Sequence, residues 1–330
     1  MEDDPTKRAD KIYKRLRKTD LEVQRFDKKP APVPRFHSGS YKLDWILGGG
    51  WPWGRLIELF GAQGSGKTTT ALHAAKEAQK AGKVAGYVDA EHSVDPLYAF
   101  DGIGVDRKAL LFQQPRSGEQ ALQAIEKMVE EGVDLVILDS VAALVPQAEL
   151  DGEIGDDHVG LLARLMSQSM RKLAGTVKEE GATVIFVNQL RDVIGNMFGP
   201  DEKTTGGNAL KYYTSVRVRL SPSTHRKEDG ETVGNHINAR VVKNKTAPPF
   251  RSDKLMITYG EGLDLAYELR ERALETGAIE KSGSWYKIGG ETICQGAEAL
   301  EEMIREDECV PAPDGGKVGI QEIVGAPESV

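Results

Sequence analysis

Gly61, Ala62, Gln63, Gly64, Ser65, Gly66, Lys67 and Thr68 fit the pattern G-x-x-x-x-G-K-[ST] at every fixed position. Each residue type has a reason to be there. The glycines let the backbone wrap so that successive N–H groups face phosphate oxygens, and a helix starting at the loop's end adds its positive pole. Lys67 then reaches the β- and γ-phosphates, and the Thr68 hydroxyl holds Mg²⁺. A glycine-rich turn with an incidental lysine is the plain alternative, and context separates the two. Residues 56–60 are an apolar run of strand length, and a helical stretch opens at Thr69 and continues to Lys80. This strand–loop–helix setting predicts a nucleoside triphosphate site, with ATP and Mg²⁺ as the expected cofactors.

Three further apolar runs end in groups that act on such a ligand. Val136, Ile137 and Leu138 lead into Asp139, and an acid so placed orders the water shell of Mg²⁺ in phosphate-loop enzymes. Tyr87 and Val88 lead into Asp89, Ala90, Glu91 and His92. Glu91 is the candidate base that polarises the attacking water, with capping of the next helix as its alternative; Asp89 is expected to cap backbone. Phe186 and Val187 lead into Asn188 and Gln189. An amide is no base, but Gln189 can hydrogen-bond a γ-phosphate oxygen and report its presence. Residues 191–208 behind it are glycine-rich with little apolar periodicity, as expected of a mobile loop attached to that sensor.

The elements that must position these groups alternate along the chain. Strand-like runs at 56–60, 84–88, 110–112, 135–138 and 183–187 are separated by helical stretches, notably 67–80, 117–130 and 160–180. The fold class is therefore α/β, a twisted and mostly parallel sheet with helices on both faces. Val216, Val218 and Leu220, then Ile237, Ala239 and Val241, alternate with polar residues as antiparallel strands with one wet face do. This core spans 38–258. Two acidic helical stretches at 263–276 and 296–306 flank an apolar run at 285–288, which predicts a small α+β domain over 259–310 and a disordered tail over 311–330. Residues 1–37 begin with a basic helix whose apolar side is Ile12, Leu16 and Tyr13. Pro30, Pro32 and Pro34 then impose an extended connector, so this helix is either loose or docked elsewhere.

Composition sets the class. The hydrophobic fraction of 39% and charged fraction of 28% are those of an ordinary soluble chain. No apolar stretch nears the roughly 18 residues of a membrane span, the first four residues are no signal peptide, and Cys294 and Cys309 are too few for a disulfide scaffold. A cytoplasmic protein without a membrane partner is expected. The net charge of −8 is unevenly spread: residues 7–18 hold seven basic side chains against one acid, whereas 259–310 hold 13 acids and five basic residues. A local basic surface for nucleic acid is thus compatible with an acidic whole.

Longer runs carry a resemblance. Asp89-Ala90-Glu91-His92, Asp139-Ser140-Val141-Ala142-Ala143-Leu144, Gly152-Glu153-Ile154-Gly155-Asp156, Thr204-Thr205-Gly206-Gly207-Asn208-Ala209-Leu210-Lys211, Val242-Lys243-Asn244-Lys245 and Tyr259-Gly260-Glu261-Gly262 closely resemble the bacterial RecA recombinases. So do residues 166–175, and the likeness covers roughly 36–298. It implies a RecA-like core with an N-terminal helix-plus-strand arm for oligomerisation. The implied activity is an ATP-dependent filament on single-stranded DNA that pairs it with homologous duplex and exchanges strands. On matching positions, Glu91 becomes the hydrolytic base and Gln189 the γ-phosphate sensor. Asp95 and Tyr98 contact adenine, Tyr259 joins the nucleotide site, and Lys243 and Lys245 reach the ATP of a neighbouring subunit. Loops at about 151–160 and 190–208 hold DNA. Arg164, Ser167 and Arg171 on one helix, with Arg191, contact phosphates; Met197 and Phe198 wedge between bases or else tuck into the domain. The backbone of Gly206, Gly207 and Asn208 holds phosphate without reading sequence.

The chain also departs from that pattern. Ser221, Pro222 and Asn238 stand where basic residues of the second DNA site are common, leaving Arg226, Lys227 and Arg240 as nearby positive charge. Asp192 and Val193 make the second loop less basic, and 311–330 hold only three acids where an acidic tip is usual. The short chain and its termini would suit a mobile-element or viral version. Two rival readings stay open: a hexameric helicase on the same core, and a DNA-damage-signalling filament that promotes self-cleavage of an SOS-type repressor.

Overall fold

The computed structural model describes residues 4–21, 23, 25, 31–153, 160–192, 202–228, 230–311 and 317–323. Residues 1–33 and 34–330 form two units. In the first, a helix runs over Pro5–Leu16, started by Asp4, whose carboxylate accepts the Thr6 N–H at 2.9 Å, with Pro at the first position where its missing N–H costs nothing. Lys14 and Arg15 suit its negative end. Arg25 pairs with Asp10 and lies 5.8 Å from the centre of the Tyr13 ring. Residues 26–30, where the proline-rich connector begins, lie outside the described residues.

In the second unit a ten-stranded sheet dominates. Across it the order is Gly262–Leu263, Ser252–Thr258, Glu231–Asn244, Val216–Glu228, Leu56–Gly61, Thr183–Asp192, Leu135–Asp139, Ala85–Asp89, Leu110–Gln113, with Glu202–Thr204 paired beside Thr183–Asp192. The strands from Val216–Glu228 to Leu110–Gln113 along this order run parallel, and the other end is antiparallel, as expected. Side chains alternate between two cores. Ile57 and Leu59 join Ala71, Leu72, Ala75 and Ala78 of the helix Lys67–Lys80 on one face. Leu56, Val136 and Leu138 join the helices Gly118–Glu130 and Leu161–Glu180 on the other. Because both faces are covered, Leu56–Gly61 is buried at every residue, which is why it reads as a continuous apolar run.

Two expectations need correction. The run at 183–187 continues to Asp192 and forms a hairpin with Glu202–Thr204, pairing Leu190 with Thr204 and Arg191 with Lys203. Backbone hydrogen bonds extend the strand through polar residues that carry no apolar alternation, so part of the expected loop is sheet. The tail beyond 311 is not all irregular either. Lys317–Gly319 pairs with Cys309–Pro311, and Ile320 is buried in a third core with Leu269, Tyr286, Leu300 and Ile304. The expected strand Trp285–Ile288 is the middle of a three-stranded antiparallel sheet.

Candidate functional site

The loop after Leu56–Gly61 is built where only glycine fits. A Cβ on Gly61 would lie 2.0 Å from the Leu220 carbonyl oxygen, and one on Gly66, at φ 78°, would lie 2.5 Å from Ile257 Cδ1. Lys67 is buried and curls back over the loop, its Nζ donating to the Ala62 carbonyl at 2.7 Å, while Ser65 Oγ donates to the same oxygen at 2.8 Å. Burial lowers the Lys67 pKa, opposed by the Asp139 and Glu91 carboxylates. Thr68 Oγ1 donates to Asp139 Oδ2 at 2.7 Å, and the fully buried Tyr87 hydroxyl donates to the same oxygen at 2.8 Å. Burial raises the Asp139 pKa against both of these hydrogen bonds. Beside the loop opens a cavity of about 340 Å³ lined by residues 64–69 with Tyr98, Asn235, Ile257 and Tyr259. Tyr98 is fixed there by Thr69, with 3.0 Å between their hydroxyls. Asp95 is not in this lining; its Oδ1 accepts the Leu97 N–H at 2.9 Å.

At the end of Ala85–Asp89 the two carboxylates divide their tasks. Asp89 accepts the N–H groups of Ser93 and Val94 at 3.3 and 3.4 Å. Glu91 Oε1 accepts Gln189 Nε2 at 2.8 Å and the Ser140 hydroxyl. The structure thus brings Lys67, Thr68, Asp139, Glu91 and Gln189 to the ends of three adjacent strands and the helix behind the loop, where parallel sheets place their ligands. Lys243 and Lys245 do not line the cavity. Lys243 Nζ donates to the carbonyls of Lys211 and Tyr212 at 2.6 and 3.2 Å. Its pKa is lowered to about 8, chiefly by burial and then by Lys245 and Arg217.

Tyr87, Ser140 and Asn235 also stand at this site, and no spacing rule reaches them. Glu58, by contrast, carries a sequence signal: an acid inside an otherwise apolar strand.

Arg164, Ser167 and Arg171 form one exposed face of Leu161–Glu180, and Met166, Met170, Leu173 and Val177 are buried on the other. Gly206 and Gly207 have positive φ and press on this helix and its neighbour: a Cβ on either would meet Val141 Cγ1 or Ala163 Cβ at 2.9 Å. Asn208 begins the helix Ala209–Tyr213, and Arg191 is exposed on the hairpin. Met197, Phe198 and residues 154–159 lie outside the described residues.

On the antiparallel strands Ser221 faces Asn238, which also faces Lys254, and Arg219 faces Arg240. These residues line a groove of about 510 Å³. Pro222 faces Ile237 instead and is not part of the lining. Arg226, expected to retain positive charge here, turns to the C-terminal helices. It lies 3.6 Å from Asp264 and 3.9 Å from Glu301, with its guanidinium 4.8 Å from the centre of the Tyr267 ring. Buried acids and an aromatic face outcompete open solvent for that cation.

The family models described as the RecA N-terminal domain and the RecA C-terminal domain match residues 8–264 and 267–310. Protein RecA of Chlorobaculum parvum (strain DSM 263 / NCIMB 8327) is 52% identical over 280 residues, covering 84% of this chain and 80% of the relative. Protein RecA of Staphylococcus carnosus (strain TM300) is 45% identical over 311 residues, covering 93% and 87%. Among solved structures, the crystal structure of the RadB recombinase matches with a TM-score of 0.51 at 22% identity, over 68% of this chain and 97% of that one, a likeness of fold. Among the described residues no helix is long and apolar enough to cross a membrane.

Proposed function

This chain belongs to the RecA family and is a recombinase that binds ATP and DNA and associates with its own copies, and from that premise we propose how its residues divide the work. The reading rests on one observation, the convergence of Lys67, the Thr68–Asp139 pair and the Glu91–Gln189 pair at the ends of adjacent strands, with Lys67 and Thr68 lining one open cavity. Lys67 and the loop N–H groups neutralise the β- and γ-phosphates. Thr68 and Asp139 offer hard oxygen donors 2.7 Å apart, a set that suits Mg²⁺, and they would hold it; the ion supplies charge neutralisation on the phosphates. Tyr98 and Tyr259 flank the base. Glu91 takes the proton of the attacking water. Gln189 spends its amide on Glu91, so a γ-phosphate oxygen competing for that amide both releases the base and pulls on the hairpin beyond.

Hydrolysis is DNA-dependent on this reading. Single-stranded DNA lies along Arg164, Ser167, Arg171, Arg191 and the Gly206–Asn208 backbone in a helical filament, and homologous duplex is captured in the Arg219–Arg240 groove. Lys243 and Lys245 serve the ATP of the neighbouring copy. Mixing a Lys67→Ala chain with a Lys245→Ala chain should therefore restore turnover that neither has alone, because some interfaces in mixed filaments keep both side chains. Mixed filaments that form but stay inactive would exclude the arrangement.

The groove makes a second prediction. Ser221 and Asn238 supply no charge, and Arg226 is withdrawn, so duplex capture should be weak and confined to low salt; each phosphate contact contributes nearly one unit of salt slope. Asn238→Arg should raise D-loop yield and its salt tolerance while leaving filament formation on single strands unchanged. High wild-type yield at elevated salt, indifferent to Asn238→Arg, would refute this. The same thin groove favours, as the second reading, a filament that acts by promoting repressor self-cleavage; absence of D-loops in both proteins would point there.

A further inference from the structure

Glu58 sits in the middle of the buried strand that leads to the phosphate loop, and it is fully inaccessible to solvent. A carboxylate in such a place is tolerated only when its oxygens are bonded. Both are. Oε1 accepts Asn188 Nδ2 at 2.9 Å, from the strand on one side, and Oε2 accepts Arg217 Nε at 2.5 Å, from the strand on the other. Glu58 and Arg217 are direct register partners, and the guanidinium also lies 4.6 Å from the centre of the Phe60 ring. The Asn188 amide, itself fully buried, is held at three points. Its second Nδ2 hydrogen goes to the Thr205 carbonyl at 3.0 Å, and its Oδ1 accepts the backbone N–H of Gln189 at 2.9 Å. Gln189 in turn binds Glu91. An unbroken path of hydrogen bonds therefore crosses three strands, from Glu91 through Gln189, Asn188 and Glu58 to Arg217. Arg217 faces Lys243 in register, and the charges of both Arg217 and Glu58 act on that lysine.

We propose that Glu58, with Asn188 and Arg217, is a positioning group that ties the γ-phosphate-sensing strand and its hairpin to the strand carrying Lys243, so that nucleotide state on one face of a subunit is transmitted to the face that meets its neighbour. This rests on the reading of Gln189 as the γ-phosphate sensor and of Lys243 as a residue that serves the neighbouring copy. The path explains how a charge is accommodated in a strand whose other positions are apolar. Asn188 cannot follow a movement of Gln189 or Thr205 without changing its bond to Glu58, and Glu58 cannot shift without moving Arg217.

Glu58→Gln keeps the acceptor for Asn188 but turns an amide donor toward Arg217, breaking one link. Glu58→Gln/Arg217→Gln replaces the ion pair by an amide pair of matching donor and acceptor. Two readouts are needed. The first is hydrogen exchange over residues 202–213 in dilute protein, with and without a slowly hydrolysed ATP analogue. The second is turnover with and without single-stranded DNA. Wild type should gain protection with nucleotide; Glu58→Gln, which leaves the Arg217 guanidinium facing an amide and so lowers the melting temperature, should lose that response while its nucleotide affinity stays near wild type, and the double variant should recover both the response and the melting temperature. The DNA-stimulated kcat should fall about tenfold in Glu58→Gln with little change in KM, and recover in the double variant. A nucleotide response that survives in Glu58→Gln, or one that is lost together with melting temperature and not recovered in the double variant, would overturn the proposal. A wild type whose turnover ignores single-stranded DNA would refute the proposed function instead, and the exchange experiment would still decide the coupling.

Discussion

Lys67→Ala should abolish ATP hydrolysis, a loss of at least about 10³-fold, and with it ATP-driven filament extension. The ammonium is buried at the mouth of the helix Lys67–Lys80 and bonds to the Ala62 carbonyl, within the loop that would wrap the triphosphate. Its removal takes away the side-chain charge that faces the β- and γ-phosphates, and the loop's N–H groups alone do not replace it. Alanine is a good helix former at the first helical position, so the fold should hold and melting temperature should change little. The measurement is turnover alongside equilibrium binding of a fluorescent nucleotide. Wild-type turnover in this variant would remove the phosphate-loop assignment.

Glu91→Gln should separate chemistry from binding. ATP and single-stranded DNA should still bind, while hydrolysis falls by about 10²-fold or more, as expected when a positioned base is lost. The variant is close to isosteric: a glutamine oxygen at 91 can still accept from Gln189 and Ser140, so the local geometry should survive. Single-turnover hydrolysis against nucleotide affinity reads the difference. Loss of nucleotide binding in Glu91→Gln would make the residue structural and would move the search for the base elsewhere.

The phosphate loop was legible because its requirement is backbone space, and glycine identity at 61, 64 and 66 states that requirement directly. Asp139 and Glu91 were legible for a related reason: a strand that is buried on both faces is written in apolar residues, so the charged residue that ends it (Asp139), or that follows just past its end (Glu91 after Asp89), stands out. The wet ends of strands were not. Thr183–Asp192 continues through Asn188, Gln189 and Arg191, where pairing with Glu202–Thr204 depends on main-chain groups that every residue type possesses. Partnerships across the sheet were equally hidden. Glu58 and Arg217 are 159 residues apart, and only the parallel register of their strands makes them neighbours. Arg226 shows the opposite failure, a charge correctly noticed and wrongly assigned, because the acids that claim it lie on helices of the C-terminal part. The order of 317–323 was missed for want of length: Ile320, with Ile323 packed beside it, suffices to extend a small core, but two apolar residues form no periodic pattern.

The strands Val216–Glu228 and Glu231–Asn244, of 13 and 14 residues, make a continuous ribbon about 40 Å long. Lys243 stands at its root, the Arg219–Arg240 groove lies along it, and toward its far end Arg226 is clasped by Asp264 and Glu301. The ribbon is thus a beam held at its root and far end and backed between them by Ser252–Thr258, which pairs with Gly234 to Arg240. A beam so held resists local bending, so a duplex seated in the groove, as proposed, would press on both supports. A neighbouring copy that shifted the root would tilt the groove as well. The C-terminal helices, through Arg226 and the contact of Tyr267 with His236, would set the stiffness with which that tilt is opposed.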